Sequence, residues 1–224
     1  MHRARLRPSR TAWSAQIATS IVPIVLIVLM ATIFLLHPGT ASAQTWSEVG
    51  DAGSVPVSAQ STAGSSGLTQ ITGTLPVDSD VDMYCFRIAN FSSFSARLTC
   101  AAISEPDIFL FNGAGKGVSL NELCSTGAKT ISNAFVAGNG MYYLAIAAHG
   151  AIPYSGPNNI WFAGVTSERA PDGPGAGGPV TAWGGSPVTI PPFTYSVLLQ
   201  GASPCNFITR AAERTWGRVR SSYR

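Results

Sequence analysis

Histidine is scarce in this chain, and the usual catalytic and zinc-binding signatures are missing with it. The sequence has three histidines, and only His149 lies beyond residue 43. A Ser/His/Asp triad needs an imidazole base, yet no G-x-S-x-G segment accompanies His149. No two cysteines have C-x-x-C spacing, which leaves a Cys/His zinc site almost nothing to build on. We therefore expect that the protein is not an enzyme and that His149 lies at the surface at the end of a strand. Spacing alone does not exclude a glycosidase-type pair of catalytic carboxylates.

Helical periodicity is almost absent between Gln44 and Cys205. Short alternating or apolar runs recur instead between Gly, Asn, Ser and Pro residues, a pattern that predicts an all-β, jelly-roll-like β-sandwich. The segment His149–Pro192 contains eight prolines and nine glycines and is predicted to be an irregular loop. We predict turns at Asn112-Gly113 and Asn139-Gly140, because Asn-Gly accepts the positive φ angles of tight hairpins. The predicted strands are Leu68–Leu75, Val81–Ile88, Phe94–Cys100, Asp107–Phe111, Val118–Leu120, Ile131–Val136, Met141–Ala148 and Phe193–Leu199.

The N-terminus has the layout of an export signal. Arg3, Arg5, Arg7 and Arg10 precede a mostly apolar run, Ile17–Leu36, which is followed by the small residues Ala41-Ser42-Ala43. We expect a signal peptide over residues 1–43 that is cut between Ala43 and Gln44. The alternative is an uncleaved anchor, because about 20 apolar residues suffice to cross a bilayer. Either way the positive-inside rule sends the rest of the chain across, so we expect a secreted, cell-surface or periplasmic protein that contacts a membrane only through an uncleaved leader.

Charge is distributed unevenly along the rest of the chain. The leader holds four of the 14 Lys/Arg and none of the 11 Asp/Glu, so the remainder is almost neutral. A nucleic-acid role would need a basic face on the folded domain, and residues 44–205 are mildly acidic. The tail, 206–224, carries five of the basic residues, and Ile208, Ala212, Trp216 and Val219 recur there at helical spacing. This tail is predicted either to form a short amphipathic helix or to fray.

The four cysteines, Cys85, Cys100, Cys124 and Cys205, all follow the leader. An even number in an exported chain predicts two disulfides, with three possible connectivities. If Val81–Ile88 and Phe94–Cys100 form a hairpin with their apolar faces together, Cys85 and Cys100 point to opposite faces and do not bond. Of the remaining connectivities we prefer Cys100 with Cys124 and Cys85 with Cys205.

Acidic residues alternate just before the strand at Val81. Asp78, Asp80 and Asp82 stand there, and Glu48 with Asp51 can fold back beside them. Clustered carboxylates are the hard oxygen ligands that calcium prefers, so these five residues form a candidate calcium site. The alternative is that the aspartates cap turns and keep a strand end soluble.

Other motifs favour structural roles. We expect Asp107 to cap local backbone N–H groups rather than bind a ligand. Gly113, Gly115 and Gly117 around Lys116 lack the Ser/Thr and the helix of a phosphate loop, so they predict a hairpin turn.

Large aromatic rings stand out in the Gly/Pro-rich segment His149–Pro192. Tyr154, Trp161 and Trp183 are candidate ligand-binding residues, because exposed rings stack on sugars and polymer backbones. Alternatively they pin the segment onto the sandwich and cover a sheet edge. For Trp183 we favour pinning.

Three stretches together resemble a known domain family: Asp80–Phe86, Asp107–Asn112 followed by Gly113 and Gly115, and Gly140–Ile146. They resemble the bacterial pre-peptidase C-terminal domain, a β-sandwich, over roughly Gln44 to Ala202. The stretch Arg169–Gly175 looks like a subgroup of stand-alone secreted bacterial proteins with this domain. The resemblance implies an extracellular module of the kind that often accompanies secreted hydrolases and in some members binds polymers or calcium.

Because the module takes up residues 44–205, we expect a non-catalytic accessory module that binds an extracellular polymer or an envelope component. The alternatives are a structural cell-envelope or matrix protein and a small hydrolase with an unrecognised carboxylate pair.

Overall fold

The computed structural model describes residues 43–100, 106–124, 127–164, 167–188 and 192–207. Within these ranges the regular structure is β-strand apart from one short 3-10 helix, Phe91–Ser93. The all-β class predicted from the short alternating runs is confirmed. The predicted leader, except for Ala43, and the tail after Phe207 lie outside the described residues.

The strands, numbered in chain order, range from two to twelve residues in length. They are β1 (Ala43–Ser47), β2 (Gln60–Ser61), β3 (Ala63–Gly64), β4 (Gly67–Leu75), β5 (Val81–Ile88), β6 (Ser95–Thr99), β7 (Asp107–Asn112), β8 (Gly117–Asn121), β9 (Ala128–Ile131), β10 (Gly140–Ala147), β11 (Ala151–Ser155), β12 (Asn158–Asn159), β13 (Ala182–Gly185), β14 (Phe193–Pro204) and β15 (Asn206–Phe207).

Strand pairing traces two layers that share β14. The first layer runs β1-β4-β14-β6-β9, and the second runs β5-β10-β7-β8. β14 joins them because residues 193–200 pair with β4 and β6, whereas Ala202–Pro204 pair with β5, and Ala202 pairs with Leu68 of β4 as well. Gly201, at φ 69°, lies at the point where β14 changes partners, and its carbonyl accepts hydrogen bonds from Ala89 and Asn90.

The main core lies between the inner faces of the two layers. Alternation along β5 puts Tyr84, Phe86 and Ile88 on this face, as predicted, and all three are buried. From the first layer the core receives Leu68, Ile71, Leu75, Leu98, Val197 and Leu199, and from the second Ile108, Leu110, Leu144 and Ile146. The burial of so many aliphatic and aromatic side chains is the main source of stability in this fold.

A second hydrophobic cluster covers the other face of the second layer. Met83, Phe109, Phe111 and Ala145 supply that face, and Trp161 packs onto it. Its cover is the Gly/Pro-rich segment, which was predicted to be irregular. That prediction was wrong in part, because β11 pairs with both β12 and β13 inside this segment.

Two local pairings also differ from the prediction. The strand predicted at Ile131–Val136 ends at Ile131, and β9 pairs with β6 rather than forming a hairpin with β10 through Asn139-Gly140. Likewise β5 and β6 do not form a hairpin, because each belongs to a different layer. Both errors arise from assuming that neighbours in sequence pair, whereas here the partners of β6 are β9 and β14.

The β7–β8 hairpin confirms the turn predicted around Lys116. Asn112 Oδ1 accepts hydrogen bonds from the backbone N–H groups of Ala114 and Lys116, which closes the turn. Gly115 has φ 76°, a conformation that a side chain would strain.

The two predicted disulfides are present. Cys85 bonds to Cys205 with a Cα–Cα distance of 5.5 Å, and Cys100 bonds to Cys124 with a Cα–Cα distance of 6.2 Å. The first joins the core strand β5 to the end of β14, and the second joins the end of β6 to the segment after β8. The predicted pairing is correct although the hairpin from which it was argued does not form.

Candidate cation site

Three carboxylates converge where the loop after β1 meets the start of β5. Ligand oxygens of Asp51, Asp80 and Asp82 lie within 4.8 Å of one another. The loop is held there by backbone bonds, because Met83 N–H donates to Gly53 O at 2.8 Å and Gly53 N–H donates to Asp51 Oδ1 at 2.9 Å. Gly53 has φ 65°, and a side chain at this position would also collide with Ser58. The carboxylates are thus brought together by main-chain geometry.

Asp82 is the buried member of the group, with no exposed surface. Its Oδ2 accepts a hydrogen bond from the Tyr195 hydroxyl, which lies 2.6 Å from the Tyr84 hydroxyl. Its Oδ1 is buried and has no hydrogen-bond partner among the described residues. A buried carboxylate oxygen without a donor is costly unless a cation balances it or the carboxyl holds a proton.

Gly73 makes room for the tyrosine pair. It lies opposite Tyr195 in the β4–β14 pairing, and a β-carbon there would collide with the Tyr195 hydroxyl and approach the Tyr84 hydroxyl to 2.7 Å. The absence of a side chain at this one position leaves room for the Tyr84–Tyr195 hydroxyl pair, from which Tyr195 bonds to Asp82.

Glu48 adds a fourth carboxylate to the same region. Its Oε2 accepts a hydrogen bond from Thr74 N–H at 2.8 Å, which fixes the side chain beside β4. Burial raises the pKa of Asp82 to about 8, and the negative charges of Glu48 and Asp80 raise it further while the Tyr195 hydroxyl opposes the shift. Burial and then Asp51 also raise the pKa of Asp80. No positively charged side chain among the described residues is a cause of either pKa shift, so this carboxylate group has no such charge to offset its own.

An open cleft of about 650 Å³ lies beside this group, and Glu48, Asp51 and Asp80 line it. An acidic cleft next to a buried carboxylate suits a hard cation such as calcium, which takes oxygen ligands from carboxylates, backbone carbonyls and water. Of the five residues predicted for calcium, Glu48, Asp51, Asp80 and Asp82 come together here. Asp78 belongs neither to the carboxylate group nor to the cleft lining among the described residues.

The predicted ligand-binding aromatics lie on the outer hydrophobic cluster. Trp161 is buried and contacts Phe109 and Phe111 edge to face, so its ring is closed to a polymer in this structure. Trp183 is half-buried against the same two rings, and its Nε1 donates to Ser54 O at 2.6 Å. Tyr154 is half-buried on β11. These contacts match the alternative in which the rings pin the segment.

A second charged group surrounds Asp107, which was predicted from the sequence only to cap local backbone N–H groups. Asp107 is fully buried and accepts a bond of 2.7 Å from Lys129 Nζ. His149 Nδ1 lies 3.1 Å from both Asp107 oxygens, and Gly150 N–H lies 3.3 Å from Oδ2. Neither Lys129 nor its burial was singled out from sequence, because a lysine in an alternating run looks like a solvent-facing residue. His149 is partly buried rather than simply a surface residue.

No protein-family model and no curated protein sequence matches this chain. Within the described ranges, no helix is long and apolar enough to cross a membrane.

Proposed function

We propose that this protein is an exported, non-catalytic β-sandwich module that binds one calcium ion in the acidic cleft and serves as an accessory binding module outside the cytoplasm. The observation that carries the proposal is that carboxylate oxygens of Asp51 and Asp80 lie within 4.8 Å of a carboxylate oxygen of the buried Asp82. The two disulfides support the compartment, because such bonds persist in oxidising surroundings.

Calcium explains both the charge and the geometry of the cleft. A divalent cation neutralises several carboxylates at once, whereas a single proton on Asp82 leaves Glu48, Asp51 and Asp80 to repel one another. Asp51 keeps one oxygen for Gly53 N–H, and its other oxygen is available to a cation. The remaining ligands of a site with about six to eight oxygens would be backbone carbonyls and water.

The accessory role follows the resemblance to the pre-peptidase C-terminal domain, whose members include calcium-binding and polymer-binding modules. The resemblance rests on Asp80–Phe86, Asp107–Asn112 and Gly140–Ile146, and these stretches coincide with the central strands β5, β7 and β10. We propose an insoluble extracellular polymer or an envelope component as the partner.

Thermal unfolding with and without calcium tests the cation site. We expect calcium to raise the midpoint of the calcium-depleted protein, and magnesium to raise it less, since magnesium demands a tighter octahedral shell. Asp80→Asn should remove most of the rise. Asp78→Asn is the matched control, because it removes a neighbouring carboxylate from the same loop without touching the group, and it should behave as wild type.

An unchanged midpoint in calcium would contradict the cation site. Equal losses in Asp80→Asn and Asp78→Asn would show that calcium acts on general surface charge instead. The polymer partner has a separate test, co-sedimentation with insoluble polysaccharides and with collagen-like polymers. Absence of binding to every polymer, together with intact calcium binding, would favour a structural envelope or matrix role.

A further inference from the structure

The chain has two lysines, and one of them is enclosed in the interior against an aspartate. Lys116 lies exposed in the β7–β8 turn. The side chains of Lys129 and Asp107 have no exposed surface, and Lys129 Nζ lies 2.7 Å from Asp107 Oδ1. An amine at hydrogen-bond distance from one carboxyl oxygen is also in van der Waals range of the carboxyl carbon to which that oxygen is bonded.

Lys129 and Asp107 are held together away from water. Removing an ammonium and a carboxylate from water costs several kcal/mol per ion, and their attraction repays this only with excellent geometry. Amide formation requires one proton to pass from Lys129 to the carboxyl of Asp107, which gives a neutral amine next to a carboxylic acid. A desolvated lysine amine is a nucleophile, and a protonated carboxyl is a better electrophile than a carboxylate.

The surrounding groups hold the carboxyl in place and can move protons. His149 Nδ1 lies 3.1 Å from both Asp107 oxygens, and hydrogen bonding to Asp107 raises the His149 pKa. Gly150 N–H lies 3.3 Å from Oδ2, where it can stabilise charge that develops on that oxygen. Close by, Glu122 and Arg169 form an ion pair at 3.3 Å, and burial followed by the charge of Asp107 raises the Glu122 pKa.

We propose that Lys129 and Asp107 join in an intramolecular amide bond after the chain folds. Lys129 Nζ attacks Asp107 Cγ to form the C–N bond, and one C–O bond of the carboxyl breaks. Starting from the ammonium and the carboxylate, one proton stays on the amide nitrogen and two leave with the departing oxygen as water. His149 transfers protons to and from the carboxyl oxygens. Nothing is oxidised or reduced, and no further reactant is needed.

The fold favours the reaction, and the bond would in turn connect the two layers of the fold. Groups held in contact by a folded scaffold react at effective concentrations of about 10⁵–10⁸ M in the best cases, because the entropy of bringing them together is already spent. The bond would also tie β9 of the first layer to β7 of the second. The disulfide Cys100–Cys124 links the same region, since Thr99 and Ala128 are paired residues at that end of β6 and β9. An amide adds a tie between the layers that reductants do not cut.

The test is the intact mass of the full mature protein after reduction and denaturation. We expect wild type to be one water lighter than its sequence, and Lys116→Arg, which removes the exposed lysine, to show the same deficit. Lys129→Arg keeps the charge without the nucleophile and should have its full sequence mass. Tryptic digestion should leave the bond after Lys129 uncut and yield a branched peptide that joins the Lys129 and Asp107 segments.

Asp107→Asn supplies a signature that an ordinary ion pair cannot produce. If the reaction occurs, attack on the side-chain amide expels ammonia, so this variant should be one ammonia lighter than its own sequence and should carry the same cross-link. Full sequence mass in wild type, with normal tryptic cleavage after Lys129, would overturn the proposal. Neither result depends on calcium, because these residues lie outside the acidic cleft.

Discussion

Asp82 and Asp107 are both fully buried, and both stand on strands that flank β10, yet their surroundings differ in charge. Asp82 faces Ile146 in the pairing of β5 with β10, shares its carboxyl with a tyrosine hydroxyl, and has other acids nearby. Asp107 faces Ala147 and contacts a lysine and a histidine. The described chain places a lysine and a histidine beside Asp107, whereas it places acids and a tyrosine hydroxyl beside Asp82. Equal burial therefore leads to a network closed within the chain in one place and, on our proposal, to a cation site in the other.

Lys129→Met is expected to have the largest effect, because it prevents the proposed amide bond and leaves Asp107 buried without the lysine nitrogen beside it. Removing one partner of a buried ion pair costs about 3–5 kcal/mol. Denaturant unfolding should show a loss of stability in this range. Adding Asp107→Leu to this variant should restore much of the loss by removing the second charge. A single variant as stable as wild type would contradict the comparison, because Asp107 would then not depend on Lys129.

Calcium removal should change the pH dependence of stability through Asp82. Its pKa is about 8 in the folded protein and about 3.9 when unfolded, so the folded state holds the proton more tightly. In the calcium-depleted protein, the Asp82 contribution to stability should therefore be fully present below about pH 4 and be lost as the pH rises to about 8.

Saturating calcium should counter that loss, by about 2.7 kcal/mol at a hundred times the dissociation constant. Unfolding midpoints measured from pH 4 to pH 9, with calcium or with chelator, provide the check, and Asp82→Asn should flatten the chelator series. Stability that rises with pH in chelator, in a manner that depends on Asp82, would reverse the predicted sign.

Gly73→Ala should have a smaller effect, confined to the Asp82 side of the comparison. The new methyl group collides with the Tyr195 hydroxyl, and overpacking of this kind costs about 1–3 kcal/mol. The matched control is Gly67→Ala on the same strand, where the nearest atom, Ala202 O, is 3.8 Å from the new carbon. Denaturant unfolding should separate the two variants, and calcium affinity should fall only for Gly73→Ala. Equal effects at both glycines would mean that space around the tyrosine pair is unimportant.

Local patterns predicted the parts of the fold that depend on local chemistry. β5 begins and ends where its alternation predicted, and the turn at Asn112 forms through the Asn side chain itself. The approach of Glu48 and Asp51 to Asp80 was also foreseeable, because both sets of acids stand at the ends of elements that meet. The end of β9 was not, because Ser132 N–H donates to the distant Glu168 rather than continuing a strand.

Burial of single side chains was the harder part to predict. Trp161 looked like a binding residue because aromatic rings in a Gly/Pro-rich segment stack equally well on a ligand or on the protein, and only the tertiary fold decides which. Lys129 was missed because nothing in its neighbours distinguishes an interior lysine from a solvated one. The hydrogen bond that Asp82 accepts comes from Tyr195 on β14, which is more than a hundred residues away in sequence.

Calorimetric titration of the calcium-depleted protein near pH 7, repeated in buffers of different ionisation enthalpy, tests the cation site most directly. We predict one calcium per chain, with release of a proton that fades as the pH is raised well above 8, because the ion displaces the proton held by Asp82. Binding without any proton release near neutral pH would contradict the role given to Asp82, and the absence of binding heat in every buffer would contradict the site altogether.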